Sequence, residues 1–194
     1  MRGILLDWLV DVHFKFKLRP ETLYLSISLI DRYLEKVPIV STQLQLLGVT
    51  SLFIAAKYEE VYGVPHIKDL VYVCDNAYTK EQLLQMEGNI LLTLKFDVLS
   101  VSPNRFLELF VLFEHELGEK NLLMAKYLLE IGILEYKLLE VSPSMLAASV
   151  LYLVNKIRKR PISWRQELVE ASGFTEADIR PTAKQVCHIV QTIE

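Results

Sequence analysis

The side chains most able to carry chemistry are thinly spread along this sequence. Glu59-Glu60 is its evident carboxylate pair, but successive helix positions point about 100° apart and do not close on one substrate. A general acid with its base finds no further support there; a solvated helix end is the plainer reading. The histidines, His13, His66, His115 and His188, fall in four different segments, each more readily a structural residue than a proton carrier. Cys74 and Cys187 are too far apart in sequence to suggest a zinc site, and two cysteines make no secreted disulfide framework. There is no phosphate-binding glycine loop, dinucleotide fingerprint, nucleophile elbow or H-E-x-x-H helix. No aspartate cluster able to hold magnesium and a diphosphate is present, which removes the prenyl-chain cyclases among helical enzymes. No cofactor is expected.

Two charges in apolar surroundings stand out instead. Lys57 closes the run 48–56 beside Tyr58, and Glu87 lies inside the apolar segment 83–91. Lysine at a helix C-terminus is favoured by the dipole, yet both neighbourhoods also fit a buried or interfacial ion pair. The dense basic run Lys156-Ile157-Arg158-Lys159-Arg160 could meet phosphates or serve as a nuclear address. It also ends a helix just before Pro161, where cations satisfy terminal carbonyls, and that structural reading is favoured. Met1, Ile4, Leu5 and Trp8 form an i, i+3, i+4, i+7 stripe on a segment that Leu6, Leu9, Val10, Phe14 and Phe16 make apolar on most other sides. Such a helix is normally central to a bundle; a face left open would have the composition of a peptide-docking groove.

The elements that position these residues read as helices almost throughout. Glycine and proline, seven each, fall between the periodic segments, and no strand alternation appears. The spacing predicts helices over 1–16, over 21–34 behind Pro20, from Ser41 or Thr42 as cap to 58, over 67–73, and from the Thr79-Lys80-Glu81-Gln82 capping box to 94. The grammar then restarts. Ser102-Pro103 opens a helix to Gly118, a long helix follows over 122–139, and Ser142-Pro143 opens one to 158. Ser163-Trp164-Arg165-Gln166 is a further capping box, its helix closed by Gly173, and Thr175 caps the last. Thr50-Ser51-Leu52-Phe53 returns 98 residues later as Ala148-Ser149-Val150-Leu151, and Tyr78-Thr79 returns 96 later as Phe174-Thr175. The chain is therefore expected to be all-α, two diverged five-helix repeats covering 1–99 and 100–194.

The bulk properties agree. Of 194 residues, 52% are hydrophobic, enough for many buried helix faces and some apolar surface left for partners. A net charge of −3 does not attract nucleic acid or anionic lipid. No apolar run reaches the roughly 20 residues that span a bilayer, and Asp7 interrupts any leader-like start. Neither a nucleic-acid nor a membrane partner is expected, and the sparse cysteines suit a reducing compartment.

At several of these places the sequence resembles the cyclin family. Met1-Arg2-Gly3-Ile4-Leu5-Leu6-Asp7-Trp8-Leu9-Val10-Asp11-Val12 is similar to the opening of the cyclin box, and Ile30-Asp31-Arg32-Tyr33-Leu34 to its second helix. Residues 44–60 resemble its third helix, and Tyr78-Thr79-Lys80 with Met86-Glu87 its fifth. The likeness runs on through Ala125-Lys126-Tyr127-Leu128-Leu129-Glu130 and is greatest to A- and B-type mitotic cyclins, B above A. It implies two tandem cyclin boxes and a non-catalytic regulatory subunit that activates a cyclin-dependent protein kinase, a serine/threonine kinase, in nucleus and cytoplasm, with G2/M as its stage. It further implies that Lys57 and Glu87 meet the kinase, ringed by Ile54, Tyr58, Leu91, Phe96 and Val98, the partner supplying the hydrogen bonds the two charges lack. Met1, Ile4, Leu5, Trp8, Leu44 and Gln45 would form the patch that docks arginine-x-leucine segments of substrates and inhibitors, with Asp11 facing the arginine. The chain departs from the family pattern at Asp11, often glutamate, at Ser41, often basic, and in the loop Gly63-Val64-Pro65-His66. The alternative is a transcription-type cyclin-box protein bridging transcription factors and DNA without a kinase, which needs a more basic surface.

Overall fold

The computed structural model describes residues 1–114 and 117–193; His115 lies outside the described residues. Regular structure among them is helical, without strands, and falls into two compact units, Met1–Ser100 and Val101–Glu194.

The first unit holds α1 (Arg2–Lys15), α2 (Pro20–Lys36), α3 (Leu44–Glu59), α4 (Ile67–Val73) and α5 (Lys80–Thr93). The centre is α3, in contact with each of the other four. Its composition explains the placement: residues Leu46–Leu52 and Ile54–Ala56 are buried, so apolar side chains cover nearly its whole circumference. Gly48 sets the closest approach. A Cβ there would stand 2.8 Å from Leu5 Cδ1 and 3.2 Å from Leu9 Cδ1, so α1 rests directly on the backbone of α3. Leu6 and Leu9 are then fully buried, each stabilising by roughly 1.5–3 kcal/mol. The α1–α2 pair is pinned by a bidentate ion pair, Arg2 Nε to Asp31 Oδ1 at 2.7 Å and Nη2 to Oδ2 at 2.8 Å.

Glu60 is not a solvated helix end. Its Oε1 accepts from the Arg19 backbone N–H at 2.8 Å and from Thr22 Oγ1 at 2.6 Å. The first turn of α2 has no side-chain cap of its own, so a carboxylate 41 residues downstream supplies one, favoured by the dipole it meets.

The second unit holds α6 (Pro103–Val111), α7 (Glu119–Leu134), α8 (Pro143–Ile157), α9 (Gln166–Ser172) and α10 (Glu176–Ile193). Here α8 is central, touching α6, α7 and α10. Gly132 of α7 now makes the close approach, 2.9 Å from Leu146 Cδ1 for an added Cβ.

Caps read from sequence are present at Thr79, where both halves of the box form, and at Ser102 and Ser142. Gly173 ends α9 at φ +75°. Four expectations are corrected. Neither Ser41 nor Thr42 caps α3: residues Ser41–Gln43 form a 3-10 turn, and the Thr42 carbonyl instead accepts from Tyr78 Oη at 2.8 Å. The sixth helix stops at Val111 rather than Gly118 because Glu114 is drawn into a buried ion pair. The seventh stops at Leu134, where the Glu135 carboxylate takes the Lys137 N–H and starts a 3-10 turn. Ser163 caps nothing: its hydroxyl donates back to the Arg160 carbonyl, and Arg165 precedes α9.

Candidate functional site

Two surfaces of the first unit gather most of the residues singled out in the sequence. The first lies where the end of α3 meets the middle of α5. Lys57 sits in the last turn of α3, and its ammonium pairs with the Glu87 carboxylate while resting 4.2 Å over the Phe53 ring. Glu87 keeps 13% of its side chain exposed and Lys57 42%. Alone, a pair whose lysine is this open contributes little to folding. The two charges bond each other in the free chain, and the ammonium keeps donors and the carboxylate an oxygen beyond that bond. What they offer is a pre-formed dipole whose outward atoms remain accessible.

Around them Tyr58 and Phe96 are exposed, and Leu91 and Val98 half-buried. Ile54 is core, so it supports this surface without forming it. Phe96 stands outward because Lys95 and Phe96 both take left-handed backbone, φ +53° and +57°. The Phe96 N–H donates to the Leu91 carbonyl at 2.8 Å and closes α5. Arg32 holds the same turn, with Nη2 at 2.7 Å from the Asp97 carbonyl and 2.8 Å from Asp97 Oδ2. Neither the Phe53 platform nor the Arg32 clamp was legible as part of a site. Aromatics three or four residues from a helical lysine are common, and the clamp spans 65 residues.

The second surface is a groove of about 280 Å³ lined by Met1, Ile4, Leu5 and Trp8 of α1 with Ser41, Leu44 and Gln45. Leu5 is its buried floor, Met1 and Ile4 its exposed rim. The first helix therefore does both jobs: the face with Leu6, Leu9 and Val12 enters the core, and the adjoining face with Met1 and Ile4 stays open. Asp11 is exposed on α1 but does not line the groove. Its polar lining is Ser41 and Gln45, both uncharged at neutral pH.

Several of the remaining candidates are taken up by the fold. The His13 ring donates through Nε2 to the Arg19 carbonyl at 3.0 Å, while its buried Nδ1 has no partner. Burial lowers its pKa. Cys74 is buried and its thiol pushed up to about 11, so it stays protonated. In the basic run, Arg160 pairs with Glu114 at 3.1 Å and Lys156 lies 3.5 Å from Glu176. Among the described residues no group of three or more histidine, cysteine or acidic side chains could hold a metal, and no helix is long and apolar enough to cross a membrane.

Comparison with known proteins places this arrangement. Residues 1–99 match the family model for the cyclin N-terminal domain, and residues 101–194 that for the cyclin C-terminal domain. The chain belongs to the cyclin family. It is 43% identical over 185 residues to cyclin-B1-5 of Oryza sativa subsp. japonica, covering 95% of this chain and 40% of that protein. It is 44% identical over 191 residues to G2/mitotic-specific cyclin-B of Marthasterias glacialis, covering 98% and 49%. The cyclin chain thus spans less than half the length of these curated relatives. In fold it is similar to a viral cyclin from herpesvirus saimiri, with TM-score 0.81 at 24% identity over 100% of this chain and 87% of the other.

Proposed function

We propose that the chain is the non-catalytic regulatory subunit of a cyclin-dependent protein kinase of the serine/threonine class, acting in cell division at G2/M, in nucleus and cytoplasm. The observation that carries this reading is the accessible Lys57–Glu87 pair, ringed by Tyr58, Leu91, Phe96 and Val98, in a chain so similar to mitotic B-type cyclins. A kinase must bring a strand lysine and a C-helix glutamate together before it can position phosphates. A protein that binds only that arrangement raises its population and so switches the enzyme on. The pre-formed pair with its apolar collar is suited to grip such a helix. The Met1–Trp8 groove would meanwhile hold arginine-x-leucine segments of substrates and inhibitors, with Asp11 beyond its end to meet the arginine.

The test is the activity of a monomeric cyclin-dependent kinase titrated with this chain and with its Lys57→Ala, Glu87→Ala double variant. Strong activation by the parent and little by the variant is expected. A Met1→Ala, Trp8→Ala variant should lose docked substrates yet still activate the kinase. Absence of binding to several such kinases, with salt-sensitive DNA binding in its place, would favour a transcription-type role.

A further inference from the structure

A third concavity, on the side of α3 that faces α5, belongs to neither surface. It is about 230 Å³ and lies between the segment that follows α2, the start of α3 and one face of α5. That is below the roughly 300–1,000 Å³ of small-molecule pockets, and suits a single side chain better than a whole ligand. Its floor is apolar, with Leu46, Met86 and the buried ring of Tyr33. Its rim is a set of carboxamides: Gln43, Gln85 and Asn89 are exposed and make no side-chain hydrogen bond among the described residues, while Gln82 spends its oxygen on the Thr79 cap. No acidic or basic side chain lines it.

The remaining wall is the segment 37–39. Val37 and Val40 are extended, φ/ψ −131°/117° and −73°/148°. The Val37 N–H is used by Tyr33 and the Val40 carbonyl by Gln43, and Pro38 has no N–H. Among the described residues nothing pairs with the N–H and C=O of Ile39 or the C=O of Val37. At residues that line the cleft this leaves a main-chain donor and two acceptors unused, as the open edge of a sheet does. Such an edge pairs with another extended chain, and side-chain pockets beside it select alternate residues. Carboxamides both donate and accept, as a second row for peptide groups requires. A charged ligand would lose its water here without a counter-charge.

We propose that this cleft docks an extended, uncharged segment of a partner protein by main-chain pairing along Ile39, seating one apolar side chain on Leu46 and Met86. It does not depend on the kinase reading.

The probe is a phage-displayed library of random nonapeptides, panned on the whole chain and, in parallel, on a Gln85→Glu variant. The latter puts a charge on the neutral rim with a good helix former at an exposed position. Recovered peptides should be neutral around one central leucine, isoleucine or phenylalanine. Their affinity should fall at least tenfold on Gln85→Glu, fall similarly when the amide meeting Ile39 is N-methylated, and stay unchanged on Ile4→Ser in the other groove. Failure to enrich any peptide, equal binding to Gln85→Glu, indifference to N-methylation, or loss on Ile4→Ser would each overturn the proposal.

Discussion

The same helix positions do opposite things in the two units. Lys57 is third from the end of α3, and Asn155, 98 residues on, is third from the end of α8. Glu87 is eighth in α5, and Ala183, 96 residues on, is eighth in α10. In the first unit this place is a partly exposed ion pair. In the second it is sealed: Asn155 is 1% exposed and Ala183 3%. The Asn155 amide donates to Glu114 Oε2 at 3.0 Å and to the Ser163 carbonyl at 3.2 Å. Glu114 in turn holds Arg160. One repeat has turned the position outward as a charge, the other inward as a polar strut. Where a residue of this pattern faces solvent it is available for a partner; where it is enclosed it is committed to its own fold.

The largest effect that would sharpen this contrast is in the second unit. Glu114→Ala should cost about 3–5 kcal/mol of stability, because it breaks the ion pair that the buried Glu114 makes with Arg160 and takes an acceptor from the Asn155 amide; urea unfolding followed by circular dichroism reads this. A cost below about 1 kcal/mol would show the strut to be dispensable. In the first unit the costs should be reversed. Lys57→Ala should leave the urea midpoint nearly unchanged but weaken kinase binding by about 2–5 kcal/mol, as truncating a desolvated interface charge does. Less than a tenfold change in affinity by calorimetry would break the comparison.

Two buried serines give a smaller version. Ser149 Oγ donates to the Ile179 carbonyl at 3.2 Å and ties α8 to α10, whereas Ser51, 98 residues earlier, is buried with no partner. Ser149→Ala should cost about 1 kcal/mol, and Ser51→Ala nothing or slightly less than nothing, since it removes an unsatisfied hydroxyl. The subtlest expectation concerns pH. Burial lowers the His13 pKa from 6.5, against the opposing pull of the Arg19 carbonyl, Glu60 and the Leu18 carbonyl. The folded chain therefore resists a proton that the unfolded chain accepts. Its contribution is complete above pH 6.5 and is lost as pH falls through the folded value. Between pH 7.5 and 5.5 the parent's thermal midpoint should fall more than that of His13→Gln.

These contrasts also show what could be read beforehand. Helix identity and most starts were legible, because Thr79, Ser102-Pro103 and Ser142-Pro143 act within one turn of themselves. Helix ends were less so. The apolar periodicity of α6 runs on past Val111 through Leu112 and Phe113. The chain nonetheless leaves the helix, because Glu114 is bound by residues 41 and 46 positions later. Ser163 fails as a cap for the same reason, its carbonyl and hydroxyl already engaged by Asn155 and Arg160.

The sequence by itself determined an all-helical chain, two five-helix repeats and a short roster of charges in apolar company, since spacing and caps are local properties. Only the tertiary structure decided which of those charges face outward. It paired Lys57 with Glu87, placed Ile54 in the core and left Asp11 outside the groove lining. It also turned Glu60 into a cap for α2. The physical reason is that exposure depends on how neighbouring helices close over a position, and those neighbours lie tens of residues away.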